Sequence, residues 1–181
     1  MDPRSYSHTF CLRNGSTITL RAIRSDDAGR LRRAFAGLEA RSIYTRFFSA
    51  KAILTDAELR AATEIDFARS VALVAVLDDD QETIIAGGRY VRLRGPADVQ
   101  AEVAFTVEED YQGLGIAGLI LRELAALAHP AGITTFVAEV LPTNSAMMHV
   151  FRRSEFPLKS QLEEGVIHIE LDLTKRQQVS T

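Results

Sequence analysis

The 181-residue sequence lacks the features that mark secreted and membrane proteins. It has one cysteine, Cys11, so an intrachain disulfide is impossible, and its position in an alternating segment predicts a buried thiol in a reducing compartment. It has no run of about 18 apolar residues that could span a bilayer, and its first residues lack the apolar core of a secretory signal. These absences predict a cytoplasmic protein that does not insert into membranes.

The sequence also lacks a basic excess and a metal-ligand pattern. Its formal net charge is -3 at pH 7, and its Lys and Arg residues are scattered, which argues against nucleic acid as a partner. Its four histidines show no metal-ligand spacing, so we expect no metal. What is present, 46% hydrophobic and 25% charged residues, is typical of one globular domain with its own core.

The spacing of apolar residues and turn signals predicts a mixed α+β fold. Asn14-Gly15, between alternating segments at 10–13 and 16–23, indicates a β-hairpin because both residues tolerate a positive φ. The other elements follow from helical periodicity, capping residues and β-branched runs. The predicted helices cover 28–38, 40–48, 55–63, 113–129 and 144–153, and the predicted strands cover 71–77, 83–93, 100–107, 134–140, 158–162 and 166–173.

No internal repeat or linker divides the chain. We expect an N-terminal extension over 1–14 that contains the first hairpin strand, one domain over 15–173, and a frayed tail over 174–181. The oligomeric state is left open, a homodimer included.

The segment EEDYQGLGIAG contains Gly113-x-Gly115-x-x-Gly118, formally a dinucleotide-binding fingerprint, and Glu139 lies where its ribose-binding acid would be expected. Five residues, 108–112, separate the glycines from the preceding strand, and that strand alternates instead of being uniformly apolar, which argues against this interpretation. The glycines still predict a phosphate loop, because small residues expose backbone N–H groups at the start of a helix. A turn needed only for tight packing is the alternative.

The residues QGLGIA at 112–117 resemble the Gln/Arg-x-x-Gly-x-Gly/Ala motif of the GNAT family of N-acetyltransferases. The order of elements over 15–173 resembles the fold of that family, a mixed, mostly antiparallel sheet flanked by helices. More narrowly, NGSTITLRAIRSDD, RSIYTRFFS, AEVAFTV and DYQGLGIAG resemble the catalytic domain of bacterial protein lysine acetyltransferases that act on acyl-CoA synthetases. The resemblance implies transfer of an acetyl group from acetyl-CoA to an amine, a protein lysine or a small molecule.

The resemblance also implies which residues hold acetyl-CoA. Asn144 matches an Asn that helps hold the CoA arm, although an N-cap explains the same residue equally well. A backbone N–H near Val107 is expected to face the thioester carbonyl. The residues implied to line the CoA site are Phe105, Thr106, Val107, Gln112, Gly113, Leu114, Gly115, Ile116, Ala117, Gly118 and Asn144.

Glu102, in AEVAFTV, occupies the position of the general base in the resembling subfamily. A base is needed because a lysine amine, with a pKa of about 10.4, is almost fully protonated at pH 7 and only the neutral form attacks. Taken alone, a Glu on the polar face of a strand is more often simply solvated. The catalytic assignment of Glu102 therefore comes from the resemblance.

The sequence departs from the family at Phe151, where many members carry a Tyr that protonates the leaving thiolate. No general acid is identified, since Tyr111 is expected to pack. This departure keeps open a second interpretation, a non-catalytic module that senses acyl-CoA. The three carboxylates at 108–110 are interpreted as a solvated loop or, with Glu102, as a feature that attracts a cationic acceptor.

Overall fold

A computed structural model describes residues 2–38, 53–95 and 99–176, and one eight-stranded sheet runs through them. Its strands are β1 Ser7–Cys11, β2 Thr17–Ala22, β3 Ser70–Leu77, β4 Ile84–Arg92, β5 Gln100–Val107, β6 Thr135–Val140, β7 Leu158–Glu163 and β8 Val166–Asp172. The α-helices in these ranges are α1 Ala28–Gly37, α2 Asp56–Thr63, α3 Ile116–Ala128 and α4 Ser145–Arg152. The predicted helix at 40–48 lies outside the described residues.

The strand order is β1-β2-β3-β4-β5-β6-β8-β7. Neighbouring strands are antiparallel everywhere except between β5 and β6, which are parallel. The prediction of an α+β fold with a mixed, mostly antiparallel sheet flanked by helices is therefore confirmed. The helix α3 connects the two parallel strands, so β5, α3 and β6 form one β-α-β unit.

The predicted N-terminal hairpin is present, although β1 begins and ends earlier than the sequence suggested. Gly15 adopts φ +86°, the Leu12 N–H donates to the Ser16 carbonyl at 2.8 Å, and Asn14 Oδ1 accepts from the Ser16 N–H at 3.0 Å. The prediction of a buried thiol is wrong, since Cys11 is exposed. The reason is that β1 is the edge strand of the sheet, so few neighbours cover its side chains.

The main core lies on the face of the sheet that carries α3 and α4. The alternation predicted for β5 is confirmed, because Ala101, Val103 and Phe105 are buried in this core and Glu102 is exposed on the other face. Gly88 on β4 allows the closest approach of α3. A Cβ at this position would lie 2.5 Å from Ile120 Cγ2 and 2.7 Å from Phe105 Cδ1.

The opposite face is apolar near β3 and polar farther along the sheet. A smaller cluster there packs against α1 and the segment after α2, and it consists of Ile23, Ala72, Val74, Val76 and Ile84.

The capping box predicted at the start of α2 is confirmed. The Glu58 N–H donates to Thr55 Oγ1 at 3.3 Å, and the Thr55 N–H donates to Glu58 Oε2 at 2.9 Å.

A buried ion-pair network ties α1 to the sheet. Arg21 on β2 and Asp27 before α1 are 2% and 0% exposed, and the guanidinium donates to both carboxylate oxygens at 2.8 and 2.9 Å. Glu82 in the β3–β4 turn accepts from Arg21 at 3.2 Å and from Arg30 on α1 at 2.9 Å. Burial raises the pKa of Asp27, but hydrogen bonds from Arg21 and the Arg24 N–H outweigh it and hold the pKa below its usual value.

Candidate functional site

The sheet splits between β5 and β6. Their parallel pairing covers only three residue pairs and ends at Glu102 opposite Val137, while β5 continues to Val107 and β6 to Val140. The diverging strand ends open a cleft of about 1500 Å³. It is lined by the end of β5, the glycine loop, the start of α3, the end of β6 and α4, and by the β1–β2 hairpin.

The backbone of β5 directs N–H groups into this cleft. Hydrogen bonds at both ends of the β4–β5 ladder, Leu93 N–H to Gln100 and Glu108 N–H to Ile85, show that the even-numbered residues of β5 exchange bonds with β4. Because bonding alternates along an antiparallel strand, the N–H groups of Phe105 and Val107 point the other way, toward β6. The pairing with β6 has ended there, so these N–H groups face the cleft.

The glycine loop forms a second set of donors. Gly113 and Gly115 have φ values of +77° and +89°, and Gly115 is the N-cap of α3. In the part of the chain that the structure describes, no backbone N–H from 113 to 118 donates to a protein acceptor. A Cβ at Gly113 or Gly118 would meet no atom within 4 Å, so the loop surface is open. This arrangement suits an anionic group such as a pyrophosphate.

Gln112 shapes the loop from within. Its side-chain Nε2 donates to the Val107 carbonyl at 3.1 Å, and its backbone N–H donates to the Glu109 carbonyl at 3.1 Å. The unpartnered N–H groups therefore begin at Gly113. Gln112 thus closes the turn, and its own backbone N–H is already bonded.

All the residues predicted to line the CoA site border the cleft, from Phe105 to Val107, from Gln112 to Gly118, and Asn144. Asn144 caps α4, since its Oδ1 accepts from the Met147 N–H at 3.1 Å. Phe151 is 1% exposed, and its ring centroid lies 6.2 Å from that of Phe105. Its side chain therefore packs in the core and offers no hydroxyl that could act as an acid. Tyr111 packs against the main core as expected.

A second cavity, of about 480 Å³, opens on the polar face of the sheet, and we call it the acidic cavity. Its wall includes three carboxylates, Glu102, Glu139 and Glu170, with Lys159 and His168 beside them. Glu170 accepts from Lys159 at 3.2 Å, and Glu139 Oε1 lies 3.7 Å from His168 Nδ1. The carboxylate of Glu102 makes no hydrogen bond or ion pair with any described residue. It differs in this respect from Glu170 and Glu139, which lie beside Lys159 and His168.

Glu102 connects the two cavities. Glu102, Ala138 and Glu139 are the residues that border both the cleft and the acidic cavity among those described. Their place follows from the split, because Glu102 is the last residue of β5 that pairs with β6. A group in the cleft and a group in the acidic cavity would thus meet beside Glu102.

Sequence reasoning missed two residues of the site. Glu139 was considered only as a ribose-binding acid, but alternation along β6 places it on the polar face that carries Glu102. Parallel pairing of β5 with β6 was the signal that could have found it. Arg13, in the β1–β2 turn, borders the cleft, and its Nε lies 3.9 Å from the position of a Cβ on Gly115. No local sequence pattern joins that turn to the glycine loop.

The acidic segment 108–110 lies outside the acidic cavity. Glu108 is half-buried, and burial, reinforced by the neighbouring carboxylates of Asp110 and Glu109, raises its pKa. Glu109 borders the cleft instead. The carboxylates that share the acidic cavity with Glu102 are thus Glu139 and Glu170.

The described ranges hold no cluster of three or more His, Cys, Asp or Glu side chains suited to a metal ion. None of the helices in those ranges is long and apolar enough to cross a bilayer.

Solved structures resemble the whole of this architecture. The GNAT domain of S. lividans PAT is 35% identical, has a TM-score of 0.85, and is matched over 92% of this chain and 96% of its own. A cAMP-binding acyltransferase from Mycobacterium smegmatis is 29% identical with a TM-score of 0.65, over 93% of this chain and 47% of its own. The fold is also that of yncA, a putative acetyltransferase from Salmonella typhimurium solved with acetyl-CoA, at 15% identity and a TM-score of 0.68 over 91% of this chain and 98% of its own.

Sequence comparison agrees with the structural one. Acetyltransferase Pat of Mycolicibacterium smegmatis is 33% identical over 142 residues, which are 78% of this chain and 42% of that protein, so this chain spans less than half of that relative. The narrower resemblance to bacterial protein acetyltransferase domains is thus confirmed. The model of the acetyltransferase (GNAT) domain matches residues 17–157. The chain therefore belongs to the GNAT family of acetyltransferases.

Proposed function

We propose that this chain transfers an acetyl group from acetyl-CoA to the side-chain amine of a protein lysine, with Glu102 as the general base. The observation that carries the proposal is the position of Glu102, which borders both the cleft and the acidic cavity. Acetyl-CoA occupies the cleft in this proposal, and the amine enters from the acidic cavity. The two substrates then meet at the split between β5 and β6.

The cleft has the features that CoA requires. Unpartnered N–H groups at 113–118 and the N-terminus of α3 provide a site for the pyrophosphate. The N–H groups of Phe105 and Val107 line the path of an extended ligand that bears amide groups. Several such contacts bind a pyrophosphate even though the loop itself contains no Lys or Arg.

Acetyl-CoA supplies an activated thioester, and the residues of the chain arrange the attack on it. Glu102 accepts one proton of the ammonium group, so that the amine nitrogen can form a bond to the carbonyl carbon while the carbon–sulfur bond breaks. The second proton that the nitrogen loses passes to the released thiolate or to water. The sulfur leaves as a thiolate with a pKa near that of an ordinary thiol, about 8.5, which makes a protein acid dispensable. An N–H of Phe105 or Val107 stabilises the negative charge that develops on the carbonyl oxygen.

The acidic cavity supports a cationic acceptor. Its carboxylates outnumber its cationic groups, and Glu102 has no cation paired with it among the described residues. A lysine side chain is positively charged before it reacts, so this field favours its entry. The resemblance of AEVAFTV and DYQGLGIAG to the catalytic domain of bacterial protein lysine acetyltransferases supports a protein as the carrier of that lysine.

A small amine is the second candidate acceptor. A cavity of about 480 Å³ lies in the size range of small-molecule sites, which would suit a polyamine, an amino acid or an aminoglycoside. Incubation with labelled acetyl-CoA separates the two classes, using a protein lysate in one arm and a panel of small amines in the other. Label on lysate proteins supports the proposal, and label on small amines alone supports the second candidate. Tight acetyl-CoA binding with no labelled product in either arm would favour a sensing module without catalysis.

The role of Glu102 is tested by Glu102→Gln, which keeps the shape of the side chain and removes the base. We expect kcat to fall by about 100-fold or more, while the Kd for acetyl-CoA measured by calorimetry stays unchanged. Turnover close to that of the unmodified chain would remove Glu102 from the role.

Glu139→Gln provides a matched control, because it makes the same change of charge in the same cavity. Since Glu139 lies beside His168, its loss should raise KM for a cationic acceptor and leave kcat within about fivefold. A larger loss of kcat in Glu139→Gln than in Glu102→Gln would transfer the role of base to Glu139.

A further inference from the structure

The β1–β2 hairpin places one arginine against the glycine loop. Arg13 borders the cleft, and a Cβ on Gly115 would lie 3.9 Å from its Nε. The turn that carries it is held by the Leu12 N–H to Ser16 carbonyl bond at 2.8 Å and by the Gly15 N–H to Leu12 carbonyl bond at 2.9 Å. Arg13 is therefore fixed at its backbone beside the start of α3.

This is an unfavourable place for an isolated cation. Gly115 is the N-cap of α3, and a helix N-terminus carries a partial positive charge that repels a guanidinium. Arg13 has no hydrogen bond or ion pair with any residue in the described ranges, so no carboxylate of those ranges compensates it. An anion between the Arg13 guanidinium and the N-terminus of α3 would stabilise both, because each positive group would then face a negative charge.

Two other arginines border the cleft, and neither is an unpaired side chain beside the glycine loop. Arg122 on α3 is already paired, with its Nε donating to Glu123 at 3.0 Å. Arg153 follows the C-terminal end of α4, so no α4 N-terminus lies beside it. The Arg13 guanidinium is the one brought next to the unpartnered N–H groups of the glycine loop.

We propose that Arg13 binds a phosphate group of CoA and supplies the cation that the glycine loop lacks. The inference rests on the proposed use of acetyl-CoA and extends it to a residue outside the segment that the GNAT model matches, which begins at residue 17. The hairpin turn thereby forms the outer wall of the phosphate site. The partner is either the pyrophosphate or the ribose 3′-phosphate, and both offer the oxygen acceptors that a guanidinium prefers.

Arg13→Ala tests this inference through ligand affinity measured by calorimetry, without turnover. We expect the Kd for CoA to rise about tenfold, and Arg13→Lys to recover part of the loss because the charge is kept. Arg60→Ala removes the same charge from α2, outside both cavities, and should leave the Kd unchanged. The thermal midpoint of the ligand-free Arg13→Ala variant should be no lower than that of the unmodified chain, since Arg13 has no protein partner in the described ranges and the N-terminus of α3 repels it.

The same titration with 3′-dephospho-CoA identifies the phosphate. An equal loss of affinity for both ligands in Arg13→Ala assigns Arg13 to the pyrophosphate, and a loss confined to CoA assigns it to the 3′-phosphate. An Arg13→Ala variant that binds CoA as tightly as the unmodified chain would overturn the inference and leave the proposed function intact. Failure of the unmodified chain to bind CoA would instead overturn the proposed function, and the inference with it.

Discussion

At the scale of single residues, the negative charge of Glu108 destabilises the folded chain. Burial and the adjacent carboxylates raise its pKa, so the Glu108 carboxylate binds a proton more tightly in the folded chain than in the unfolded chain. Stability therefore falls as pH rises from the usual glutamate pKa of about 4.3 through the raised value, and the deficit persists above it.

We predict that Glu108→Gln raises the thermal midpoint at pH 7, because the unfavourable charge is removed. The gain should disappear below about pH 4, where the glutamate is protonated in both states. Glu64→Gln, at the exposed end of α2, makes the same change of charge and should leave the midpoint unchanged at both pH values. A stabilisation that is equal at pH 7 and below pH 4 would contradict this account.

The candidate site residues differed in how well the sequence could predict their positions. Glu102 is a candidate because the resembling subfamily has its base at this position, and the alternation of β5 correctly placed it on the exposed face. Glu139 and Arg13 depend on contacts between segments far apart in the chain, which no local spacing encodes. Cys11 shows the reverse error, since alternation predicts one face of a strand but not whether that strand lies at an edge.

At the scale of elements, the cleft depends on how closely α3 approaches β4. Gly88→Ala would place a methyl group 2.5 Å from Ile120 Cγ2 and 2.7 Å from Phe105 Cδ1, so α3 or β5 must move. Overpacking of this kind costs about 1–3 kcal/mol. We predict a loss of that size in the free energy of unfolding by urea denaturation, together with a weaker affinity for acetyl-CoA.

Gly87→Ala is the matched control on the neighbouring residue. Its Cβ would lie 3.6 Å from the Leu73 carbonyl oxygen, an ordinary contact. This variant should be substantially more stable than Gly88→Ala and should bind acetyl-CoA normally. Equal effects of the two substitutions would show that loss of glycine flexibility in β4, and not the contact with α3, is responsible.

Elements were predicted well where the signal is local. Asn14-Gly15, the Thr55 capping box and the Asn144 cap each rest on a side chain and a backbone group a few residues apart, and all three are observed. The glycine fingerprint resembles a dinucleotide loop in its setting as well, because β5, α3 and β6 form a parallel β-α-β unit of the kind in which such loops occur. What differs is β4, which pairs with β5 in the antiparallel sense.

At the scale of the whole molecule, the Arg21 and Asp27 pair links the first hairpin, α1 and the β3–β4 turn. Removing one partner leaves a buried charge without compensation, which typically costs about 3–5 kcal/mol. We predict a loss of that size for Asp27→Asn in urea denaturation at pH 7, lessened if Glu82 compensates Arg21.

The acid sensitivity of the protein should change in the same variant. The pKa of Asp27 is lowered in the folded state, so its stabilisation is complete above the usual aspartate pKa of about 3.9 and is lost as pH falls through the lowered value. The dependence of stability on pH in this acid range should therefore be shallower in Asp27→Asn. A slope as steep as that of the unmodified chain would contradict the assignment.

The overall architecture was predictable because the family motif and the periodicity agree along most of the chain. The split between β5 and β6 was not, because it depends on the register and divergence of two strands separated by a helix. The site is built at that split. The fold is therefore more predictable than the candidate site, because the elements follow from local patterns and the site depends on contacts between elements that are distant in the sequence.

The split also gives the sheet an edge in its interior. An outer edge with unpaired N–H groups invites pairing with a strand of another chain, which promotes aggregation. Here the donors of Phe105 and Val107 lie in a wedge that is closed at one end by the pairing of Glu102 with Val137. A slender, flexible ligand that bears amide groups can enter such a wedge and accept hydrogen bonds from these donors. It would then take the place beside β5 that the diverging end of β6 leaves open.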